Sequence, residues 1–293
     1  MLRGRYRTIV QSEWHAEPAD ALIALHAQRS AASIRAWRAA DALAPLAVVL
    51  TGTDLYRDLA RSAEARQSLE FADRIVVLNE LATKELAEAL QRKCTAILQS
   101  ANVLGQARKP TDRLRCVVVG HLRAEKDPAT VWGAVDLIPR GLPIAIRHIG
   151  AALQPGMARE AKAAARRDPR YRWTGPTNHG LAREAIRRAH VLVHPSIMEG
   201  GANVIVEAIT AGTAVLASRM PGNLGMLGLD YPGYFEVGDA EGLAARLVEL
   251  CGNPDALAAL ETACRKRLPL LRPAGEAQAI RRLVDSLLMQ GGS

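Results

Sequence analysis

Residues 191–217, VLVHPSIMEGGANVIVEAITAGTAVLA, restrict the possible folds of this chain more than any other stretch. The apolar run Val191-Leu192-Val193 stops at Pro195 and Ser196, the pattern of a short buried strand. A turn with Glu199, Gly200, Gly201 and Asn203 follows. Val204 to Ile209 then open a helix that Gly212 ends, and Val215-Leu216-Ala217 reads as the next parallel strand. A strand, a glycine turn and a helix in that order offer backbone N–H groups and a positive helix end to a phosphate. Glu199 and Glu207 bracket the turn, roughly 12 Å apart if the span were helical. An extended ligand with a sugar at one end, a ribose at the other and phosphates between them fits this spacing.

The rest of the chain alternates in the same way. Strands are expected at residues 6–10, 20–25, 46–50, 74–78 and 96–98, with helices at 30–40, at 55–60 and from after Asn79 to about residue 90. Residues 105–113 (GQARKPTDR) are polar and form the best linker. A second series follows, with strands at 115–119, 144–149, 171–173, 191–193, 215–217 and 234–237. Its helices lie at 129–137, 157–167, 178–189, 204–211, 241–251, 256–268 and 276–288. Strands alternating with helices, with polar residues at the strand ends, indicate doubly wound parallel sheets. The expected fold class is α/β, with two Rossmann-like domains facing a cleft. Residues 1–110 would form the first domain and 111–274 the second, with the helix of 275–293 packing back on the first.

Composition narrows the function. The net charge of +8 favours an anionic partner, although arginines scattered over helix faces produce the same sum. Aromatic residues are only 4% and no basic block stands out, which argues against nucleic acid. No apolar run is long enough to span a membrane and no leader is visible, so a cytoplasmic protein is expected. Cys94, Cys116, Cys251 and Cys264 lack metal-site spacing and read as small buried residues in a reducing compartment. No Asp-x-Asp or metal cluster is present, so neither a metal nor another cofactor is expected.

Three strand-end loops of the second domain carry candidate chemistry. Gly120-His121-Leu122-Arg123 leads to Lys126, and a guanidinium and an ammonium there would neutralise a diphosphate. Gly150 leaves a bare backbone at its strand end, for a ligand to approach or for a tight turn. The third loop is the Glu199–Glu207 stretch.

Glu199-Gly200-Gly201-Ala202-Asn203 through Glu207-Ala208, with Ala211-Gly212-Thr213, resembles the Glu-x7-Glu signature of GT-B glycosyltransferases of family 4. Gly120-x-Leu122-Arg123-x-x-Lys126 is similar to that family's diphosphate loop. The resemblance implies that Glu199 holds the donor hexose, Glu207 the ribose, and Arg123 and Lys126 the diphosphate of a nucleotide sugar. Gly120, Gly150, Gly200, Gly201, Ala202 and Asn203 would line the donor. In the first domain, ALHAQRSAAS at 24–33, VLTGTDLYRD at 49–58, ADRIVVLN at 72–79 and ILQSA at 97–101 resemble the selenosugar synthases of selenoneine biosynthesis. That group joins selenophosphate to the sugar of a UDP-sugar, UDP-N-acetylglucosamine in particular. The implied partners are therefore UDP-sugar and selenophosphate.

Selenophosphate presents an anionic selenium and needs cations more than a base. His26, Arg29 and Arg57, each just past a strand end or one turn into the next helix, would supply them, with Thr53 and Asp54 beside them. Each also has a plain structural reading. Arg29 and Arg57 serve equally as helix-surface charge, His26 as a satisfied imidazole, and Thr53 or Asp54 as a helix cap. A hydroxyl or thiol acceptor on the same fold, or an inactive nucleotide-sugar-binding remnant, are the alternatives. The family begins with a further strand, glycine loop and helix ahead of the segment that 4–14 resembles. That first strand–helix unit is thus expected to be missing, with a sheet position unfilled.

Overall fold

The computed structural model describes residues 1–2, 4–105 and 107–290 and divides into two compact units. The first comprises Met1–Ser100, Glu199–Gly201 and Leu270–Ser293, of which the last three residues lie outside the described residues. Its elements in the amino-terminal part are β1 (Leu22–Leu25), α1 (Ala31–Ala40), β2 (Leu46–Val49), α2 (Leu59–Arg61), α3 (Ala63–Phe71), β3 (Arg74–Val77), α4 (Glu88–Gln91) and β4 (Cys94–Ala96). The strands form one parallel sheet in the order β1-β2-β3-β4.

Side chains alternate across a strand, so each of these strands serves two faces. Leu46, Val48, Ile75 and Val77 point to one core with Ile34, Trp37, Ala65 and Leu69 from α1 and α3. Ala47, Val76 and Ile97 point to the other, where Leu283 and Leu287 of the carboxy-terminal helix cover them. Fully burying a leucine such as Leu287 is worth about 1.5–3 kcal/mol, which holds the helix to the sheet. The same helix receives Arg5 and Tyr6 on Asp285, Arg5 at 2.9 Å.

The strand expected at 6–10 is absent. Ile9 and Val10 are exposed, and no strand of the four-stranded sheet lies beside them to satisfy an extended backbone. The helix expected after Asn79 is also broken. A 3-10 turn at Ala82–Glu85 gives way to extended backbone at Leu86, and α4 starts at Glu88. Burial of Ala82 and Leu86 in the core overrides the local helix preference. The helix α3 at Ala63–Phe71 was not anticipated.

The second unit comprises Ala101–Met198 and Ala202–Pro269. Its elements are β5 (Leu114–Val119), α5 (Pro128–Leu137), β6 (Ile144–Ile149), α6 (Met157–Arg167), β7 (Tyr171–Trp173), α7 (His179–Arg188), β8 (Val191–His194), α8 (Asn203–Thr210), β9 (Ala214–Ser218), α9 (Pro221–Leu227), β10 (Tyr234–Phe235), α10 (Ala240–Gly252) and α11 (Pro254–Arg267). The carboxy-terminal helix of the first unit, α12, spans Pro273–Gln290. All six strands are parallel, in the order β10-β9-β8-β5-β6-β7. The chain runs outward from β5 through β7 and then returns to β8 on β5's other side. The sheet therefore reverses direction between β5 and β8, and ligands of open α/β sheets bind at the strand carboxyl ends of such a switch point.

Among the described residues no helix is long and apolar enough to cross a membrane. The four cysteines are unpaired. Cys116 and Cys264 are buried as expected, but Cys94 and Cys251 are only half-buried.

Candidate functional site

In the second unit the loops after β5, β6 and β8 are tied together by backbone bonds. Leu122 N–H donates to Ala151 O at 2.8 Å and Leu153 N–H to Leu122 O at 3.1 Å. Ile197 N–H, past the end of β8, donates to Glu125 O at 2.9 Å. These bonds fix the Gly120–Lys126 loop at the switch point. Asp127, with φ +42, turns the chain into α5, and its carboxylate caps that helix by accepting from Thr130 N–H. Arg123 is half-buried, and its Nε is buried with no hydrogen-bond partner among the described residues. A guanidinium N–H left unsatisfied costs about 1–3 kcal/mol, so this arrangement favours an incoming anion. Ser196 Oγ is likewise buried with no hydrogen-bond partner among the described residues.

Behind the loop lies a buried polar chain. Trp132 Nε1 donates to Tyr171 Oη at 2.9 Å, the Tyr171 hydroxyl to His148 Nδ1 at 3.0 Å, and His148 Nε2 to Gly120 O at 3.2 Å. Burial lowers the His148 pKa to about 4 and keeps the imidazole neutral, as accepting the Tyr171 hydroxyl at Nδ1 requires. Gly150 is adjacent: a Cβ on it would stand 1.9 Å from Gly120 O. The space expected to admit a ligand beside Gly150 is thus filled by the protein's own backbone.

The His148 shift has a consequence for stability. A pKa lowered in the folded state means that the unfolded chain binds more protons between about pH 6.5 and 4, so stability falls as pH drops through that window. The loss amounts to roughly 3 kcal/mol by pH 4. Urea unfolding of wild type and His148→Gln at pH 7 and pH 4.5 should give a smaller acid-induced loss in the variant. Equal losses would show that His148 is not the group responsible.

Glu207, on α8, is 4% exposed. His179 Nε2, at the start of α7, donates to its Oε1 at 2.5 Å, and Arg183 Nε stands 4.0 Å away. Arg183 Nη2 is committed to Asn102 O at 2.9 Å. Ala202 is buried ahead of α8, and Asn203 is the first residue of that helix rather than part of the turn. Gly212, φ +68, ends the segment with the left-handed turn expected of it.

The residues expected to meet the acceptor lie in the first unit. His26 is buried, with φ +75, a costly conformation for a non-glycine residue and one that clusters at functional sites. Its Nε2 meets Thr53 Oγ1 at 3.0 Å and lies 3.7 Å from Asp58 Oδ2. Asp54 is fully buried: Oδ2 accepts from Ala27 N–H at 3.0 Å, and Oδ1 from Thr51 and Gly52 N–H, each at 2.8 Å. Its carboxylate therefore staples the loops after β1 and β2 together rather than presenting itself to an acceptor. Arg29 is exposed, and Arg57 Nε donates to Asp58 Oδ1 at 2.9 Å.

Glu199–Gly201 belongs to this first unit, not to the second where the sequence had located it. Asn79 Nδ2 donates to Gly200 O at 2.7 Å, and a Cβ on Gly200 would meet Thr51 O at 2.6 Å. Close backbone approach is thus what Gly200 permits. Asn79, His148 and His179 were missed in the sequence. Asn79 follows a strand directly, a position where polar residues deserve weight, whereas His179 and Glu207 are 28 residues apart with no local signal.

The family model for glycosyl transferases group 1 matches residues 101–267, more than half of the chain. Among solved structures, Anabaena HepE in complex with UDP gives a TM-score of 0.78 at 15% identity, over 92% of this chain and 79% of that one. Sucrose-phosphate synthase from Thermosynechococcus elongatus gives 0.76 at 18% identity, over 92% and 74%. The pneumococcal O-GlcNAc transferase GtfA, in complex with UDP and GlcNAc, gives 0.68 at 18% identity, over 83% and 53%. At these identities the likeness establishes the fold, two Rossmann-like units of the GT-B type.

Proposed function

Because this chain belongs to the glycosyl transferases of group 1, we propose that it transfers a sugar, N-acetylglucosamine in the first instance, from UDP to selenophosphate. Arg123 carries the donor half of this reading: a half-buried guanidinium whose Nε lacks a partner, on a loop fixed at the sheet's switch point. Diphosphate oxygens supply what that N–H lacks, and Lys126 adds a second cation three residues on. Glu207 offers a buried carboxylate for the ribose hydroxyls. Glu199 is assigned to the hexose through its match to the family signature. The crystallised relatives with UDP bound support the choice of donor.

The selenophosphate acceptor rests on the first-unit motifs. His26, Arg29 and Arg57 are the cations assigned to its phosphate, and Thr53 positions His26. In the reaction a bond forms between selenium and the anomeric carbon as the bond from that carbon to the UDP oxygen breaks. UDP departs with the electron pair. The anionic selenium has no proton to give up, so the step needs no general base, and fixed cations stabilise the leaving diphosphate.

A second reading has its own observation. Asp58 Oδ2 lies 3.7 Å from His26 Nε2, and a carboxylate in that position is the type of group that takes a proton from a hydroxyl or thiol acceptor. Incubating the protein with UDP-N-acetylglucosamine and, separately, selenophosphate, thiophosphate, a cysteine-like thiol or a sugar alcohol separates the two. The expected result is UDP release with a selenium-bearing sugar, identified by mass, from selenophosphate. Product only from the thiol or the alcohol would transfer the assignment to the second reading. UDP-sugar binding without UDP release from any acceptor would mark an inactive binding protein.

A further inference from the structure

We propose that His179 is a displaceable cap on Glu207: in the unliganded protein it occupies the carboxylate that the ribose hydroxyls of a nucleoside diphosphate take over. The proposal rests on the reading of Glu207 as the ribose-binding residue and adds a residue which that reading leaves out.

Glu207 and its partner differ sharply in burial. A carboxylate removed from water is costly unless hydrogen-bonded, and Glu207 is 4% exposed. Its partner is not a buried one. The His179 side chain is 71% exposed, yet its Nε2 reaches Glu207 Oε1 at 2.5 Å. The cation nearby, Arg183, stands at 4.0 Å, beyond hydrogen-bonding distance, with its Nη2 engaged by Asn102 O. Satisfaction of the buried acid therefore depends on a side chain that little packing holds in place.

His179 is also free to leave. It is the first residue of α7, and the cap of that helix is supplied by Asn178, whose side chain accepts from Leu181 N–H at 2.9 Å. Swinging the imidazole into water breaks the Glu207 bond without uncapping the helix. A vicinal diol then brings O–H donors to the carboxylate and restores what His179 gave it. The cap lowers the energy of the empty site and so weakens nucleotide binding by the strength of one charge-assisted bond.

The test is calorimetric titration of the full chain with UDP and with 2′,3′-dideoxyuridine diphosphate, which lacks both hydroxyls. His179→Ala should bind UDP about three- to tenfold more tightly than wild type. The gain should vanish for the dideoxy analogue and in the Glu207→Gln background. Unchanged or weaker UDP binding in His179→Ala, with Glu207→Gln still weakening it, overturns the cap alone. UDP binding indifferent to Glu207→Gln overturns the underlying ribose assignment instead. His179 is at the surface, so a folding defect is not the expected source of any change, and its unfolding midpoint beside wild type verifies this.

Discussion

Arg123→Ala should lower turnover of UDP-sugar by about 10²- to 10³-fold, the usual cost of removing one fixed group that stabilises a leaving oxyanion. The negative charge on a departing diphosphate grows as the anomeric bond breaks, so in the proposed role the guanidinium would interact more strongly with the transition state than with the bound donor. The effect should therefore fall more on kcat than on KM. Arg123 is well placed for this because its loop is already built: Leu122, Glu125 and Lys126 each make a backbone hydrogen bond within the second unit. Preorganisation of this kind means the cation does not have to be moved into place during the reaction. Arg123→Lys should recover only part of the loss, since an ammonium cannot form the two parallel bonds of a guanidinium. Steady-state rates of the two variants beside wild type test this. Turnover of Arg123→Ala within threefold of wild type removes Arg123 from the chemistry.

Gly150→Ala should destabilise the second unit by about 3 kcal/mol, at the upper end of what overpacking normally costs. The reason is contact with backbone rather than with a flexible side chain. The new methyl would lie 1.9 Å from Gly120 O and 2.5 Å from Gly120 C. Gly120 cannot yield easily, because its N–H donates to Ile149 O at 2.9 Å and its carbonyl accepts from His148. Relief has to come from separating the ends of β5 and β6, which also displaces the Arg123 loop. A lowering of the unfolding midpoint by roughly 6–12 °C is expected. Gly252→Ala is the control. It ends α10 with nothing within 4 Å of the added methyl, and should change stability by less than about 1 kcal/mol. Similar midpoints for Gly150→Ala and wild type would mean that β5 and β6 do not meet as described.

Much of the fold was legible because parallel sheets leave a simple trace: short apolar runs that end in polar or glycine residues. The strands β5, β6, β7, β8 and β9 fall where those runs lie, and the two-faced alternation of β2 and β3 follows from period-two geometry. Local patterns failed where neighbours decide. Residues 6–10 have the composition of a strand without a strand beside them. The segment after Asn79 has the composition of one helix, but burying both Ala82 and Leu86 requires a break between them.

The site was less legible than the fold. Arg123, Lys126 and Glu207 stand at the end of a run of recognisable spacing, which locates them on strand-end loops and a helix but leaves their roles as proposals. Asp54 was visible only as a polar residue past a strand, and that it faces inward to hold two loops depends on Ala27, a partner far away in sequence. Gly200 and Gly201 suggested a phosphate-binding turn, whereas their nearest neighbours are the backbone of Thr51 and the side chain of Leu78. His179 meets Glu207 only through the packing of α7 beside α8, which no pattern within either helix encodes.

The central claim is that the strand ends at the β5–β8 switch point hold a nucleoside diphosphate. Titration of UDP into the wild-type chain and into Arg123→Ala tests it most directly. One saturable site in wild type, weakened at least tenfold by the substitution, is the predicted result. No binding of UDP, or equal affinity in the two proteins, would contradict it.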